Sequence, residues 1–176
     1  MLALRPESRG AMPTTKAKLF STKIDIAESA RETLVDTINQ QLADTFDLYS
    51  QAKQAHWNVK GADFFQLHEL FDAVAEAVHP FVDVLAERAT TLGGVAMGTV
   101  RMAAKSSTLN EYPAAATSGK VHLENVRDRL AAVAASNRKA IEQAGKLKDP
   151  TTEDLFTEIS RVLDLQLYFV EAHLQG

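Results

Sequence analysis

Six side chains between His68 and Glu87 constrain this chain more than any other feature. His68, Asp72, Glu76, His79, Asp83 and Glu87 follow one another at spacings of 4, 4, 3, 4 and 4 residues, with no lysine or arginine among them. Residues three and four apart stack on one side of an α-helix, so the six form a single stripe along a helix face. A solvated face ordinarily mixes both charge signs, which gains i,i+4 pairs and avoids self-repulsion. A stripe of carboxylates and imidazoles alone implies that something cationic lies against it, and these are metal-ligating groups. The plainer alternative is an acidic outer face.

The arithmetic of the stripe favours a metal. His68 and Glu87 are 19 positions apart, about 28 Å along a helix axis, so its ends cannot serve one ion within one chain. The positions pair as 68 with 87, 72 with 83 and 76 with 79, each pair centred between residues 77 and 78. An antiparallel two-fold mate would therefore set His68 against Glu87, Asp72 against Asp83 and Glu76 against His79, an isologous contact in which one patch meets itself. Two equivalent sites follow per dimer, each taking His68 and Asp72 from one chain and Asp83 and Glu87 from the other. On this reading a homodimer is the smallest active unit.

With 176 residues, 45% of them hydrophobic, the chain suits one domain with one core. The absence of cysteine excludes disulfides, thiolate zinc sites and cysteine nucleophiles, and fits a reducing cytosol. The opening MLALRPESRGAMP has no apolar signal core, and no later run approaches the roughly 18 apolar residues of a spanning helix. The expectation is a soluble cytoplasmic protein, nucleoid-associated if DNA is bound. The net charge of -4 argues against a nucleic-acid binder, but it is uneven. Arg5, Arg9, Lys16, Lys18 and Lys23 face only Glu7 within residues 1–24, leaving an acidic body. Residues 1–25 read as a flexible basic arm, serving either as a solubilising tail or, displayed in many copies, as a phosphate-binding one.

Alanine, leucine, glutamate and glutamine dominate residues 26–176, and strand-type alternation is scarce. A first helix is expected from Ile26 to Asn58, with Leu34, Ile38, Leu42, Phe46 and Tyr49 on its apolar face and His56 on the same side. Gly61 stops it, and Asp63 with Gln66 resembles a capping pair opening the second. That helix runs to Gly93 and carries Leu67, Leu70, Phe71, Val74, Val78, Phe81, Val82 and Leu85 beside the ligand stripe, with a kink at Pro80. Residues 95–118 form a long crossover with a short helix around Ser107–Glu111. The third helix, Gly119 to Ala144, uses Val121, Val126, Leu130, Val133 and Ile141. Asp149 as N-cap and Pro150 at the first position open the fourth, with Leu155, Ile159, Val162, Leu163, Phe169 and Val170. Two helices, a long crossing and two more make an all-α, ferritin-like four-helix bundle with a short crossover helix.

His56 reaches the turn just before the second helix, so its imidazole becomes a fifth donor for each shared site. Two histidines and three carboxylates suit Fe(II), with Zn, Mn and Co as competitors, and carboxylates hold Fe(III) after oxidation. His122 and His173 lack suitable carboxylates three or four residues away, Glu171 near His173 apart, and read as surface or interface residues.

AHWNVKGADFFQLHELFD, followed by DVLAERATTLGG, resembles the signature of the Dps family, DNA-binding proteins from starved cells, also called mini-ferritins. The resemblance spans roughly residues 26–175. It implies that His56, His68 and Asp72 are iron ligands from one subunit, and that Asp83 and Glu87 come from its two-fold mate. It further implies a hollow dodecamer that oxidises Fe(II), preferentially with hydrogen peroxide, stores the ferric mineral and protects DNA. Trp57 matches an aromatic beside the ferroxidase centre that donates an electron or quenches a radical, the alternative being a core tryptophan. Asp149, Glu153 and Asp154 align with acidic residues around the three-fold iron pores, and equally suit a helix start. Glu76 and His79 are not usual ligands; they read as an auxiliary metal site across the dyad or an ordinary interface pair. The arm is sparser in lysine than those of members that condense DNA.

Three other readings compete. A larger ferritin would need a Glu-x-x-His motif on each of two helices, and only Glu76 to His79 supplies one. A DNA-compacting nucleoid protein would use the same metal ligands only structurally. A zinc hydrolase could use the ligand set too, but no GxSxG nucleophile motif accompanies it.

Overall fold

The computed structural model describes residues 19–175, and within them the chain forms six helical segments: α1 (Glu28–Asn58), α2 (Phe64–Val78), α3 (Pro80–Thr91), α4 (Val100–Ser106), α5 (Gly119–Lys146) and α6 (Pro150–Ala172). α2 and α3 are one helix interrupted at a proline. Pro80 has no N–H to give to the carbonyl of Glu76, yet His79 keeps helical dihedrals of φ -57° and ψ -42°, so the direction is largely retained. Counting that pair as one element gives the expected four long helices.

The bundle closes by burying one stripe from each helix. Leu34, Ile38 and Leu42 of α1 meet Phe71, Val74, Val78 and Leu85 of α2 and α3, while Leu130, Val133, Phe156, Ile159 and Leu163 come from α5 and α6. α5 packs chiefly on α6, and α1 on α2, α3 and α5. Val121 and Phe169, expected on core faces, stand exposed instead.

α1 is apolar on one side and carries a second, polar stripe on another: Gln40, Asp44, Asp47 and Gln51. This stripe holds the crossover. Asp44 accepts from the Thr108 amide at 2.6 Å, Asp47 from the Ser107 hydroxyl at 2.6 Å, and Gln51 donates to the Asn110 carbonyl at 3.0 Å. Arg129 of α5 closes the clamp by donating to Gln51 at 2.9 Å and the Glu111 carbonyl at 2.8 Å. Because 107–111 is tied down by side chains, the short helix lies upstream of the expected place, at α4, where Thr99 caps the Met102 amide.

Two other expectations change at the segment ends. Asp63 is the N-cap residue of α2, but its side chain makes no cap bond to the backbone and only touches Gln66 Nε2 at 3.5 Å. Residues 19–25 are not loose: the Phe20 amide donates to the Gly93 carbonyl at 2.7 Å, and Leu19 and Ile26 pack on the core. Gly93 permits this contact, since at φ +88° a Cβ would lie 2.5 Å from the Phe20 carbonyl oxygen. Among the proposed DNA contacts Lys23 is exposed, while Arg5, Arg9, Lys16 and Lys18 lie outside the described residues.

Candidate metal centre

His56 is in the last turn of α1 and His68 in the second turn of α2, and the turn through Gly61 brings them face to face. Their rings stack with centroids 3.6 Å apart and planes at 23°. His56 Nδ1 lies 2.8 Å from the His68 carbonyl, and His68 Nδ1 lies 2.9 Å from the His56 carbonyl. A carbonyl only accepts, so both Nδ1 atoms must carry the proton. A ring with its proton on Nδ1 has Nε2 as the atom for a metal, in an orientation fixed by the other residue's backbone.

Asp72 stands one turn beyond His68 with Oδ1 4.0 Å from His56 Nδ1. The sequence reading missed its partner. Lys53 of α1 reaches across from the neighbouring helix and hydrogen-bonds Asp72 Oδ1. The Lys53 hydrogen bond holds the Asp72 carboxyl below the usual carboxylate range; burial opposes this, and the charges of His56, Lys53 and His68 add to it. One cation thus lies against the Asp72 end of the lysine-free stripe, and it is a side chain from α1. The only signal for it was Lys53 standing one turn before His56.

The structure brings His56, His68 and Asp72 together at one end of the stripe and leaves Asp83 and Glu87 exposed on α3 at the other. Asp72 and Asp83 are eleven residues apart, about 16 Å along the helix axis. Among the described residues, no three His, Asp or Glu side chains converge to hold a metal within the single chain. Glu76 and His79 are exposed mid-stripe, with His79 against Tyr49 at 4.4 Å between ring centroids.

Trp57 is 61% exposed in this chain, so the core-tryptophan alternative fails; Lys53 Nζ lies 5.9 Å from its ring centroid. Asp149, one of the three pore candidates, is buried and paired with Arg88 through two bonds of 2.8 and 2.7 Å, besides accepting from the Thr152 hydroxyl. Burial pushes its carboxyl up, but the bonds from Thr152 and Arg88 outweigh that and hold it below the usual range. Glu153 is half-buried, and Asp154 is the exposed member of the three. His173 is exposed as expected. His122 is not: it is fully buried, with Nδ1 2.6 Å from the Tyr112 hydroxyl. Spacing within one helix could not reveal that a crossover tyrosine covers it. No described helix is long and apolar enough to cross a membrane.

Comparison with known proteins agrees with this fold. The family pattern described as a ferritin-like domain matches residues 35–176. The DNA protection during starvation protein of Agrobacterium fabrum is 39% identical over 158 residues, covering 90% of this chain and 98% of that protein. The solved structure of DpsA14 from Streptomyces coelicolor superposes with a TM-score of 0.87 at 32% identity, over 92% of this chain and 96% of the other. The Mycobacterium smegmatis Dps structure gives 0.84 at 30% identity, covering 90% and 96%.

Proposed function

We propose, from the premise that this chain belongs to the ferritin-like family and within it to the Dps proteins, that it is a ferroxidase whose sites are shared between two copies. The observation that carries this reading is the reciprocal lock of His56 and His68. It occupies both Nδ1 atoms and leaves both Nε2 atoms for a metal near Asp72, on a surface stripe whose further ligands, Asp83 and Glu87, lie too far along the helix to join them. An antiparallel mate supplies those two donors, and a homodimer becomes the unit from which a hollow dodecamer is built.

Iron is the substrate. Mixed imidazole and carboxylate donors accept Fe(II), and the carboxylates favour the Fe(III) product. Lys53 must release Asp72 for the metal, so it is a gate on the site. Two Fe(II) ions each give one electron to one hydrogen peroxide, which takes up two protons and leaves as water, so no hydroxyl radical is released. Ferric ions then hydrolyse and collect as mineral in the shell, which protects DNA. Glu153 and Asp154 suit the iron pores. The basic arm adds non-specific DNA contact, and Trp57 stands beside His56, where it supplies the second electron to peroxide when a single Fe(II) has given the first.

Stopped-flow mixing of Fe(II) with peroxide and, separately, with oxygen tests this, alongside sedimentation for size. Faster oxidation by peroxide in an assembly many times larger than 19.2 kDa is expected. An inert 19.2 kDa monomer would overturn the reading.

A further inference from the structure

The Tyr112–His122 pair lies outside the ligand stripe and takes no part in the chemistry above. Tyr112 belongs to the crossover and His122 to the first turn of α5, with their rings 5.8 Å apart and nearly parallel at 18°. The hydroxyl and Nδ1 are 2.6 Å apart, and the imidazole is fully buried beside Phe71. When Nδ1 accepts from the hydroxyl, Nε2 carries the N–H, and that atom makes no well-formed hydrogen bond, with only the Asn58 and Ala116 backbone close to the ring. A buried polar atom so poorly satisfied is uncommon in folded proteins and asks for a role other than stability. Burial pushes the imidazole pKa down, against the backbone of Asn58 and Ala116, and pushes the phenol pKa up. Neither ring ionises readily alone, whereas a proton can pass between them. Tyr112 also lines a surface cavity of about 460 Å³ that includes Trp57, Asp47, Gln54 and Glu111, which gives small oxidants access.

We propose that Tyr112 and His122 form a proton-coupled redox pair that quenches one-electron oxidants of the hydroxyl-radical class. Tyr112 gives one electron to the hydroxyl radical, which is reduced to hydroxide. The phenolic O–H bond breaks as its proton crosses to Nδ1, where an N–H bond forms. The products are a neutral tyrosyl radical and an imidazolium; burial opposes the imidazolium and the Asn58 and Ala116 backbone offsets part of that cost, so the proton returns to the phenolic oxygen when the radical is reduced. Moving proton and electron together avoids both a phenolate and a ring radical cation, and the guanidinium of Arg129, 5.8 Å over the Tyr112 ring, disfavours the cation further. No bound iron is needed.

Metal-free, assembled protein is therefore the sample, with a photogenerated ruthenium(III) polypyridyl complex as oxidant, and the radical is followed by transient absorption and freeze-quench EPR. The expected result is a neutral tyrosyl radical whose formation slows in deuterated buffer and which is lost in Tyr112→Phe. His122→Gln should slow its formation on the order of 10²-fold, the usual contribution of a positioned base. Should the His122 variant fail to fold, the isotope effect and Tyr112→Phe decide alone. The same radical in Tyr112→Phe, borne by Tyr49 or Tyr168, would overturn the proposal. So would formation without an isotope effect, or at the parent rate in His122→Gln. Failure of the ferroxidase reading would leave each of these outcomes unchanged.

Discussion

Replacing Lys53 by methionine removes the ammonium from Asp72 while keeping an apolar stem beside Trp57. The two side chains are 19% and 33% exposed, so solvent screens the pair, and its strength is set near about 1 kcal/mol, the upper end for partly exposed ion pairs. A metal that takes Asp72 must first break this pair in the parent protein but not in the variant. A difference of about 1 kcal/mol corresponds to roughly fivefold tighter binding. Repulsion between an ammonium and a divalent ion acts in the same direction, which makes fivefold a lower bound. Anaerobic calorimetry with Fe(II), repeated with Co(II) as a redox-inert probe, reads the change. Folding stability should drop by no more than about 1 kcal/mol, since only a screened pair is lost. Unchanged or weaker metal binding in Lys53→Met would refute the view that Lys53 competes with metal for Asp72.

Asp149→Asn should cost about 3 kcal/mol in urea unfolding at pH 7, because Arg88 would be left without its charge partner inside the protein. The native Asp149 pKa lies below its ordinary 3.8, so its contribution is present above that value and is lost as pH falls further. Parent and variant stabilities should then converge only as pH falls below 3.8 and through the lower native value, and a difference that stayed constant down through that range would contradict the assignment. Gly94→Ala places a Cβ 2.5 Å from a Val35 methyl and 2.9 Å from the Ala89 carbonyl. An overpacking penalty of about 1–3 kcal/mol is expected, visible as a lowered thermal midpoint. For acidification, burial holds His122 below its ordinary 6.5. The unfolded chain therefore takes up a proton that the native ring refuses, and stability should fall as pH drops below 6.5, less steeply in His122→Gln, as measured by urea midpoints.

Much of this molecule was legible in its periodicities. The apolar spacing of Leu34, Ile38 and Leu42, the cap at Asp149–Pro150 and the break in the helix at Pro80 are local signals, and each is honoured by the structure, although His79 stays helical where a kink was expected. What escaped was non-local. The placement of α4 depends on Asp44, Asp47 and Arg129 holding residues 107–111 from other helices, which no crossover propensity encodes. Lys53 meets Asp72 from 19 residues away, across a turn. His122 is buried by Tyr112 and Phe71, although its neighbours in sequence, Val121 and Lys120, are exposed. At the site, stripe spacing was sufficient to associate His68 with Asp72. The tautomer-fixing contacts with His56 needed the turn geometry.

Mixed assembly of two inactive variants tests the shared site. His68→Ala and Asp83→Ala are each purified, dissociated, combined in equal amounts and reassembled, and Fe(II) oxidation by peroxide is timed. A mixed pair carries one site with both changes and one with neither, so random mixing should restore about a quarter of the parent rate. If every donor to an iron came from one polypeptide, the mixture would stay as inactive as its components.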